Sequence, residues 1–259
     1  MQVSLGGVAV VTGGGNGIGA AIAAMLANAG ASVAVVDVDS AAANDAATKV
    51  GGESFTCDVA DEAAVQACAQ AITEKMGQPR YLVNNAGVVS RPGQPFTKNT
   101  EKDWDRTFAI NVKGAAFWAG ALRDGLIATE GRIVNVTSIT GVIAAPFMPP
   151  YSVSKAAANG LTRVLARQFA PDRVSVNAVA PGFVWSPLWE DLGQVMAEAS
   201  EGAQGTTAPE VFEGRIRDLV PMGRPQSPED VAAMVTFLCS DLAGNITGQI
   251  IGVDGGITI

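Results

Sequence analysis

Histidine is absent from all 259 residues of this chain, and with it go Ser-His-Asp and Cys-His nucleophilic catalysis and the commonest metal ligand. Cysteine is nearly absent. Cys57, Cys68 and Cys239 are odd in number and lack a Cys-x-x-Cys spacing, which argues against a disulfide framework or a thiolate metal site and suits a cytoplasmic protein. Positive charge is scarce as well: 17 Lys and Arg stand against 25 Asp and Glu, for a net charge of -8 and a pI near 4.6. Such a surface suits neither nucleic acid nor an anionic membrane. No apolar run is long and charge-free enough to span a bilayer. The apolar opening Met1–Val11 lacks the basic segment of a secretory signal and runs into a glycine loop, so it reads as a strand. What remains is small-molecule chemistry, in a chain whose 48% hydrophobic content supports a full core.

Short, continuously apolar runs alternate with helix-like patterns, the mark of a single α/β domain over residues 1–259. Val8-Ala9-Val10-Val11 leads into Thr12-Gly13-Gly14-Gly15-Asn16-Gly17-Ile18-Gly19, and a helix pattern from Ala20 to Ala29 follows. Strand, glycine turn and helix start make an anion site: glycine lets the backbone approach a pyrophosphate, and free N–H groups at the helix start meet its charge. The next strand, Ser32–Val36, ends at Asp37, twenty residues beyond Gly17. A carboxylate there accepts hydrogen bonds from adenosine ribose hydroxyls. It also repels the extra phosphate of NADP, each like-charge pair costing about 4 kcal/mol at ~4 Å and an effective dielectric of ~20. No Lys or Arg stands at positions 14–16 or 38 to offset this, so NAD is the expected cofactor. Asp37 can also start a turn or cap the helix from Ala41. Phe55–Val59 reads as the end of a third strand, with Asp58 either beside the adenine or a turn residue. Tyr81-Leu82-Val83 makes a fourth, followed by Asn84-Asn85-Ala86-Gly87, whose amides either line a cofactor or tie strands together.

Residues 103–122 form one long helix pattern with Asn111 as its polar exception. Asparagine competes for backbone groups in mid-helix, so it either faces water or holds something. The buried strand pattern Arg132–Thr137 ends at Ser138, and thirteen residues later comes Tyr151-Ser152-Val153-Ser154-Lys155, opening a helix that continues to about Phe169. Tyrosine and lysine four residues apart share one helix face. A neighbouring cation favours the phenolate of a group whose free pKa is near ~10, which brings proton transfer toward neutral pH. Another strand, Arg173–Val179, is broken by Pro181-Gly182, and residues 183–226 read as a long irregular insertion of the kind that serves as a substrate loop or lid. A helix from Pro228 to Cys239 and a strand, Gln249–Val253, close the pattern.

In this order and spacing, the glycine turn, Asn84-Asn85-Ala86-Gly87, Ser138, Tyr151 and Lys155 resemble the short-chain dehydrogenase/reductase family over essentially the whole chain. Pro181-Gly182 and Val253-Asp254-Gly255-Gly256 belong to the match. The form Gly13-x-x-x-Gly17-x-Gly19, unlike the commoner Gly-x-Gly-x-x-Gly, is that family's own. The resemblance implies a three-layer, doubly wound parallel sheet of Rossmann-like type and hydride transfer with a nicotinamide cofactor. It makes Tyr151 the general acid/base and Ser138 the hydroxyl that orients the substrate oxygen. Lys155 would lower the tyrosine pKa and bind the nicotinamide ribose, and Asn111 would hold a water in a proton relay. It brings Gly13, Asn16, Gly17, Ile18, Gly19, Asp37, Asp58, Val59, Asn85, Ala86, Gly87, Tyr151, Lys155, Pro181, Gly182, Val184 and Ser186 to the NAD. Relatives often have threonine at the place of Ser186; the hydroxyl survives. The resemblance also implies a homotetramer built from the helices around 103–122 and 151–169 and the last helix and strand.

Around the substrate, Ser138 and Tyr151 are joined by Ile143, Ala145, Met148, Trp185, Leu188 and Trp189, mostly apolar, with Arg91 the nearest cation. The two tryptophans either line the site or pack the loop. The expected substrate is a bulky, apolar secondary alcohol or ketone, cyclic or aromatic. The rival activities are reduction of 3-oxoacyl thioesters, oxidation of polyols or sugars, and dinucleotide sensing without catalysis.

Overall fold

Val8, Ala9, Val10 and Val11 leave no polar face to give to water. In the computed structural model of the chain, which describes residues 3–199 and 206–259, they form the buried centre of a sheet. The elements run β1 (Val8–Thr12), α1 (Gly17–Asn28), β2 (Ser32–Asp37), α2 (Ser40–Val50), β3 (Glu53–Thr56), α3 (Glu62–Met76) and β4 (Pro79–Asn84). Then come α4 (Glu101–Phe108), a π turn (Ala109–Lys113), α5 (Gly114–Ala121), α6 (Arg123–Ala128), β5 (Arg132–Val136), α7 (Pro149–Phe169) and β6 (Ser175–Pro181). Helices α8 (Pro187–Ala199), α9 (Ala208–Leu219) and α10 (Pro228–Cys239) precede β7 (Ile250–Val253). All strands pair in parallel, in the order β3-β2-β1-β4-β5-β6-β7. This is the single, doubly wound, Rossmann-like α/β fold that the resemblance implies.

Successive residues of a strand point to opposite faces, so each central strand feeds two cores. Ala9, Val11, Val33 and Val35 pack against α1, α2 and α10 through Ile22, Leu26, Ala43, Ala46 and Val235. Val8, Val10, Ala34 and Val36 pack against α3, α5 and α7 through Val65, Ile72, Trp118, Leu165 and Phe169. With both faces covered, the strands are continuously apolar rather than alternating. Among the described residues, no helix is long and apolar enough to cross a membrane.

Three sequence expectations change. Strand β3 ends at Thr56, so Cys57-Asp58-Val59 is a turn, and the Asp58 carboxylate accepts from the Ala60 N–H at 2.9 Å. The helix pattern over 103–122 is interrupted by the π turn, with Asn111 at its middle. The insertion at 183–226 is largely helical: Trp189, Leu192 and Met196, then Phe212, Ile216 and Val220, recur at helical spacing and close a small third core over Ala145 and Met148. The polar middle of that insertion, 200–205, lies outside the described residues.

Helix starts are capped at α2 by Asp39, at α3 by Asp61, at α9 by Thr207 with Glu210, and at α10 by Ser227 with Asp230. The cap of α2 is thus Asp39, which accepts from Ala41 and Ala42, and not Asp37. Asp39→Ala should lower the free energy of urea unfolding by about 1 kcal/mol; an unchanged midpoint would show that this cap contributes nothing.

Candidate active site

The sheet's order reverses between β1 and β4, where crossovers leave to opposite faces and open a crevice beyond the strand ends. Thr12, the last residue of β1, draws the pieces there together. Its buried hydroxyl accepts from the N–H groups of Asn85 (3.1 Å) and Ala86 (3.2 Å) and lies 3.4 Å from the Val83 carbonyl. The Asn85 amide donates to the carbonyls of Thr12 (3.1 Å) and Gly13 (2.9 Å), and Asn84 donates to the Asn135 side chain at 2.9 Å. Asn84 therefore ties β4 to β5, while Asn85 both braces the glycine turn and lines the crevice.

The turn is built for close approach. A Cβ on Gly19 would strike the Gly13 carbonyl oxygen, and one on Gly13 would come 2.8 Å from the Ala86 Cα. Gly17 has φ +53 with open space where a side chain would begin. Unlike α2, α3, α9 and α10, helix α1 has no side-chain cap: Asn16 is exposed, extended and makes no capping hydrogen bond, and no acidic residue lies in the first turn. Uncapped N–H groups at a helix start facing an open glycine turn fit a pyrophosphate. At the end of β2, the Asp37 carboxylate accepts from the N–H groups of Gly15 (3.0 Å) and Asp39 (3.1 Å), and a Cβ on Gly15 would touch it at 2.9 Å. It is held at the far side of the turn, where an adenosine ribose would lie. Val59 is buried against Gly114, and Asp58 is exposed beside it.

On the other side of the crevice Ser138, Tyr151 and Lys155 meet in one cleft of about 640 Å³. The Ser138 hydroxyl accepts from both the N–H and the hydroxyl of Thr140 at 3.1 Å. Lys155, 4% exposed, donates to the Val136 carbonyl at 3.0 Å, with its Nζ 5.5 Å from the Tyr151 ring centre. Desolvation holds the Tyr151 phenol above its usual range, partly opposed by the Ser138 hydroxyl, and desolvation brings the Lys155 ammonium down to about 8. Asn111 does hold something: its Oδ1 accepts from the Val88 N–H at 2.8 Å, and its Nδ2 donates to the Val88 carbonyl and the Ser154 hydroxyl, each at 3.0 Å. Lys155 Nζ and Asn111 Oδ1 lie 3.3 and 3.4 Å from the point where a Gly87 side chain would begin, so they face one small gap.

Ile18, Asn85, Gly87, Pro181, Gly182, Val184 and Ser186 line this cleft, as do Ile143, Ala145, Met148 and Trp189. Trp185 does not: it is 42% exposed and packs edge-on against Phe212, ring centres 5.0 Å apart, on the outside of the insertion. Its neighbour Trp189 is buried between Phe183 and Phe212 and shows a wall to the cleft. The side chain of Leu188 lies outside the described residues. Arg91 is not a cleft cation either, since it faces the Asp103 carboxylate at 3.6 Å. Besides Lys155, the charged residues that line the cleft among the described residues are Arg106 of α4 and Asp191 of α8, which the sequence did not single out because only folding brings these helices to one rim. Thr140, also missed, had a signal: a hydroxyl two residues after Ser138, the spacing of a side-chain turn.

Comparison with known proteins gives the following. A family described as enoyl-(acyl carrier protein) reductase matches residues 13–258. D-threitol dehydrogenase of Mycolicibacterium smegmatis is 36% identical over 260 residues, covering 98% of this chain and 94% of that protein. L-2,3-butanediol dehydrogenase of Corynebacterium glutamicum is 35% identical over 264 residues, covering 96% and 98%. Among solved structures, an NAD+-bound xylitol dehydrogenase superposes with a TM-score of 0.90 at 32% identity, covering 99% of this chain and 100% of that one.

The lysine shift has a consequence for stability. Lys155 keeps its proton to 10.5 in the unfolded chain but only to about 8 when folded, so between those values the unfolded state binds more protons. Stability from this group is lowest below pH 8 and rises through the window, while the raised Tyr151 acts in the opposite sense only above 10. Urea melts of wild type and Lys155→Met should therefore show the difference moving in favour of wild type from about pH 8 to 10. A flat difference would mean that the ammonium is not desolvated.

Proposed function

The chain belongs to the short-chain dehydrogenase/reductase family of oxidoreductases acting on alcohols and ketones, and we propose that it uses NAD to interconvert a bulky, apolar secondary alcohol and its ketone. The observation that carries this is the meeting of Ser138, Tyr151 and Lys155 in a cleft whose walls are Val88, Ile143, Ala145, Met148, Phe183 and Trp189. A volume of about 640 Å³ is ordinary for a small-molecule site. NAD over NADP is supported by Asp37, fixed by two backbone N–H groups with no Lys or Arg at 14–16 or 38, and by the likeness to the NAD+-bound xylitol dehydrogenase. Assembly as a homotetramer is part of the same proposal and is supported by the exposed Val153 and Val164 on α7 and Leu242 beyond α10.

The glycine turn and the start of α1 would hold the pyrophosphate of NAD, and Val184 and Ser186 its nicotinamide; when bound, the cofactor supplies the hydride acceptor or donor. The protein supplies placement and protons. Thr140 directs two donors at the Ser138 oxygen, so the Ser138 hydrogen is left to point at the substrate oxygen. Tyr151, protonated at rest because of desolvation, gives its proton to that oxygen in reduction and takes one back in oxidation. Lys155 keeps a positive charge beside the phenol below about pH 8, which favours the phenolate whenever it forms. Asn111 stands across the gap at Gly87 to pass that proton on through water.

Tyr151→Phe should lower turnover at least about a hundredfold while NAD affinity stays within about twofold; comparable turnover in this variant removes the acid/base assignment. Asp37→Ser should shrink the NAD-over-NADP ratio of kcat/KM by about tenfold or more, since the like-charge penalty disappears. An unchanged ratio would move cofactor choice elsewhere. The names of the relatives favour a second reading, a polyol or diol dehydrogenase. NAD-linked kcat/KM on cyclic and aryl alcohols against linear polyols decides between the two, higher values on polyols overturning the apolar reading.

A further inference from the structure

Ser154, one residue before Lys155, is fully buried and does not line the cleft, yet it makes two hydrogen bonds. Its hydroxyl donates to the Tyr151 carbonyl at 2.7 Å and accepts from Asn111 Nδ2 at 3.0 Å. The first bond alone is ordinary, because a serine inside a helix readily bonds back to the preceding turn. The second crosses from α7 to the π turn. Among the described residues, Ser154 is the one α7 residue to which the Asn111 side chain hydrogen-bonds. The remaining polar contacts of Asn111 all go to the Val88 backbone, so the amide is fixed at one end by the loop after β4 and at the other by the tyrosine's own helix. A π turn is a costly interruption that recurs at functional sites, and here its middle residue is the one that is clamped.

We infer that Ser154 is a positioning residue for proton transfer. Its hydroxyl sets Asn111 against Lys155 across the gap at Gly87, where both polar atoms lie within 3.4 Å of one point. The inference rests on the reading of Tyr151 as acid/base and Asn111 as the outer member of the proton path. Without the hydroxyl, one buried Asn111 N–H has no acceptor and the amide is held from the Val88 side alone. The position of the asparagine then drifts relative to an ammonium that stays anchored to the Val136 carbonyl. Ser154 touches neither substrate nor cofactor, so its loss should slow proton movement and leave binding alone.

The test is a cycle of Ser154→Ala, Asn111→Ala and the double variant, read by kcat, the solvent deuterium isotope effect on kcat and NAD affinity. Ser154→Ala should lower kcat about tenfold, raise the isotope effect as proton transfer becomes limiting, and leave the NAD Kd within about twofold. On top of Asn111→Ala it should cost less than about twofold more, because residues acting through one another are not additive. Wild-type kcat and isotope effect in Ser154→Ala, or losses that multiply in the double variant, would overturn the inference. Should the alanine variant not fold, Ser154→Cys keeps the volume with a poor acceptor and should behave as the alanine is expected to. Ser154→Thr keeps the hydroxyl and should return kcat to within about threefold of wild type. Turnover retained in Tyr151→Phe would defeat the acid/base reading itself; wild-type behaviour of Ser154→Ala alone would defeat only the role of Ser154.

Discussion

An ammonium held out of water against a single backbone carbonyl is the constraint on which the rest of this site depends. Lys155 lies 4% exposed with its Nζ on the Val136 carbonyl, at the end of a strand in the middle of the sheet. That placement requires α7 to come down onto the loop after β5 more closely than most loops permit. Gly141 allows it: a Cβ there would come 2.7 Å from the Lys155 carbonyl carbon. Once α7 is seated, Tyr151 is carried one turn away on the same face, and Ser138 faces it from the strand end. The three groups therefore share two anchors: β5, buried on both faces of the sheet, and α7, which packs on its α3–α5 side. Precision of this kind comes from rigid elements packed at interior density rather than from loops.

The same parallel topology divides the crevice chemically. On the β1–β2 side, an uncapped helix start and open glycines leave donors for phosphate, with a carboxylate fixed beyond them. On the β5–β6 side, apolar walls lower the local polarity and push the phenol and the ammonium toward their neutral forms. The contrast in caps is instructive. Asp39, Asp61, Thr207 and Ser227 satisfy the starts of α2, α3, α9 and α10, and α1 alone among the helices on its face of the sheet goes without. A missing cap costs about 1 kcal/mol of stability, a modest sum against the value of free N–H groups at an anion site.

Most of the fold was legible because parallel, doubly covered strands are written as apolar runs, as in β1, β2 and β4 to β6, whereas the edge strand β3 (Glu53–Thr56) is only partly buried and was read less well. The candidate site was legible where its chemistry is local: the glycine turn, Ser138, and Tyr151 with Lys155 at helical spacing. What escaped depended on long-range placement. Arg106 and Asp191 reach the cleft from α4 and α8, elements 85 positions apart at those residues, and no pattern near either one announces the meeting. The insertion at 183–226 read as irregular because its glycines and polar middle outweighed two amphipathic stripes that pack on each other and on the distant Ala145 and Met148. Trp185 and Trp189 are chemically alike, but Trp185 precedes α8 and packs outward on Phe212 while Trp189, on α8, faces the cleft. The π turn at Asn111 was invisible because it occupies only five residues, Ala109–Lys113, inside one continuous helical pattern.

In a chain without histidine, the burden of moving a proton near neutral pH falls on groups whose free pKa values lie three units or more away. The structure divides that burden unevenly. Desolvation brings the lysine pKa down toward neutral pH but takes the tyrosine pKa further above it, so before a substrate or cofactor is present the ammonium is the weaker holder of its proton. A phenol that keeps its proton is ready to donate to a ketone oxygen. The reverse direction needs the phenolate, and hence a lysine that is still charged. The two directions thus ask for different protonation states of a phenol and an ammonium whose Nζ lies 5.5 Å from the ring centre. On the proposed reading, the phenol as it stands serves reduction, while oxidation needs the phenolate beside a lysine that is still charged, so the early loss of the Lys155 proton works against the oxidative step.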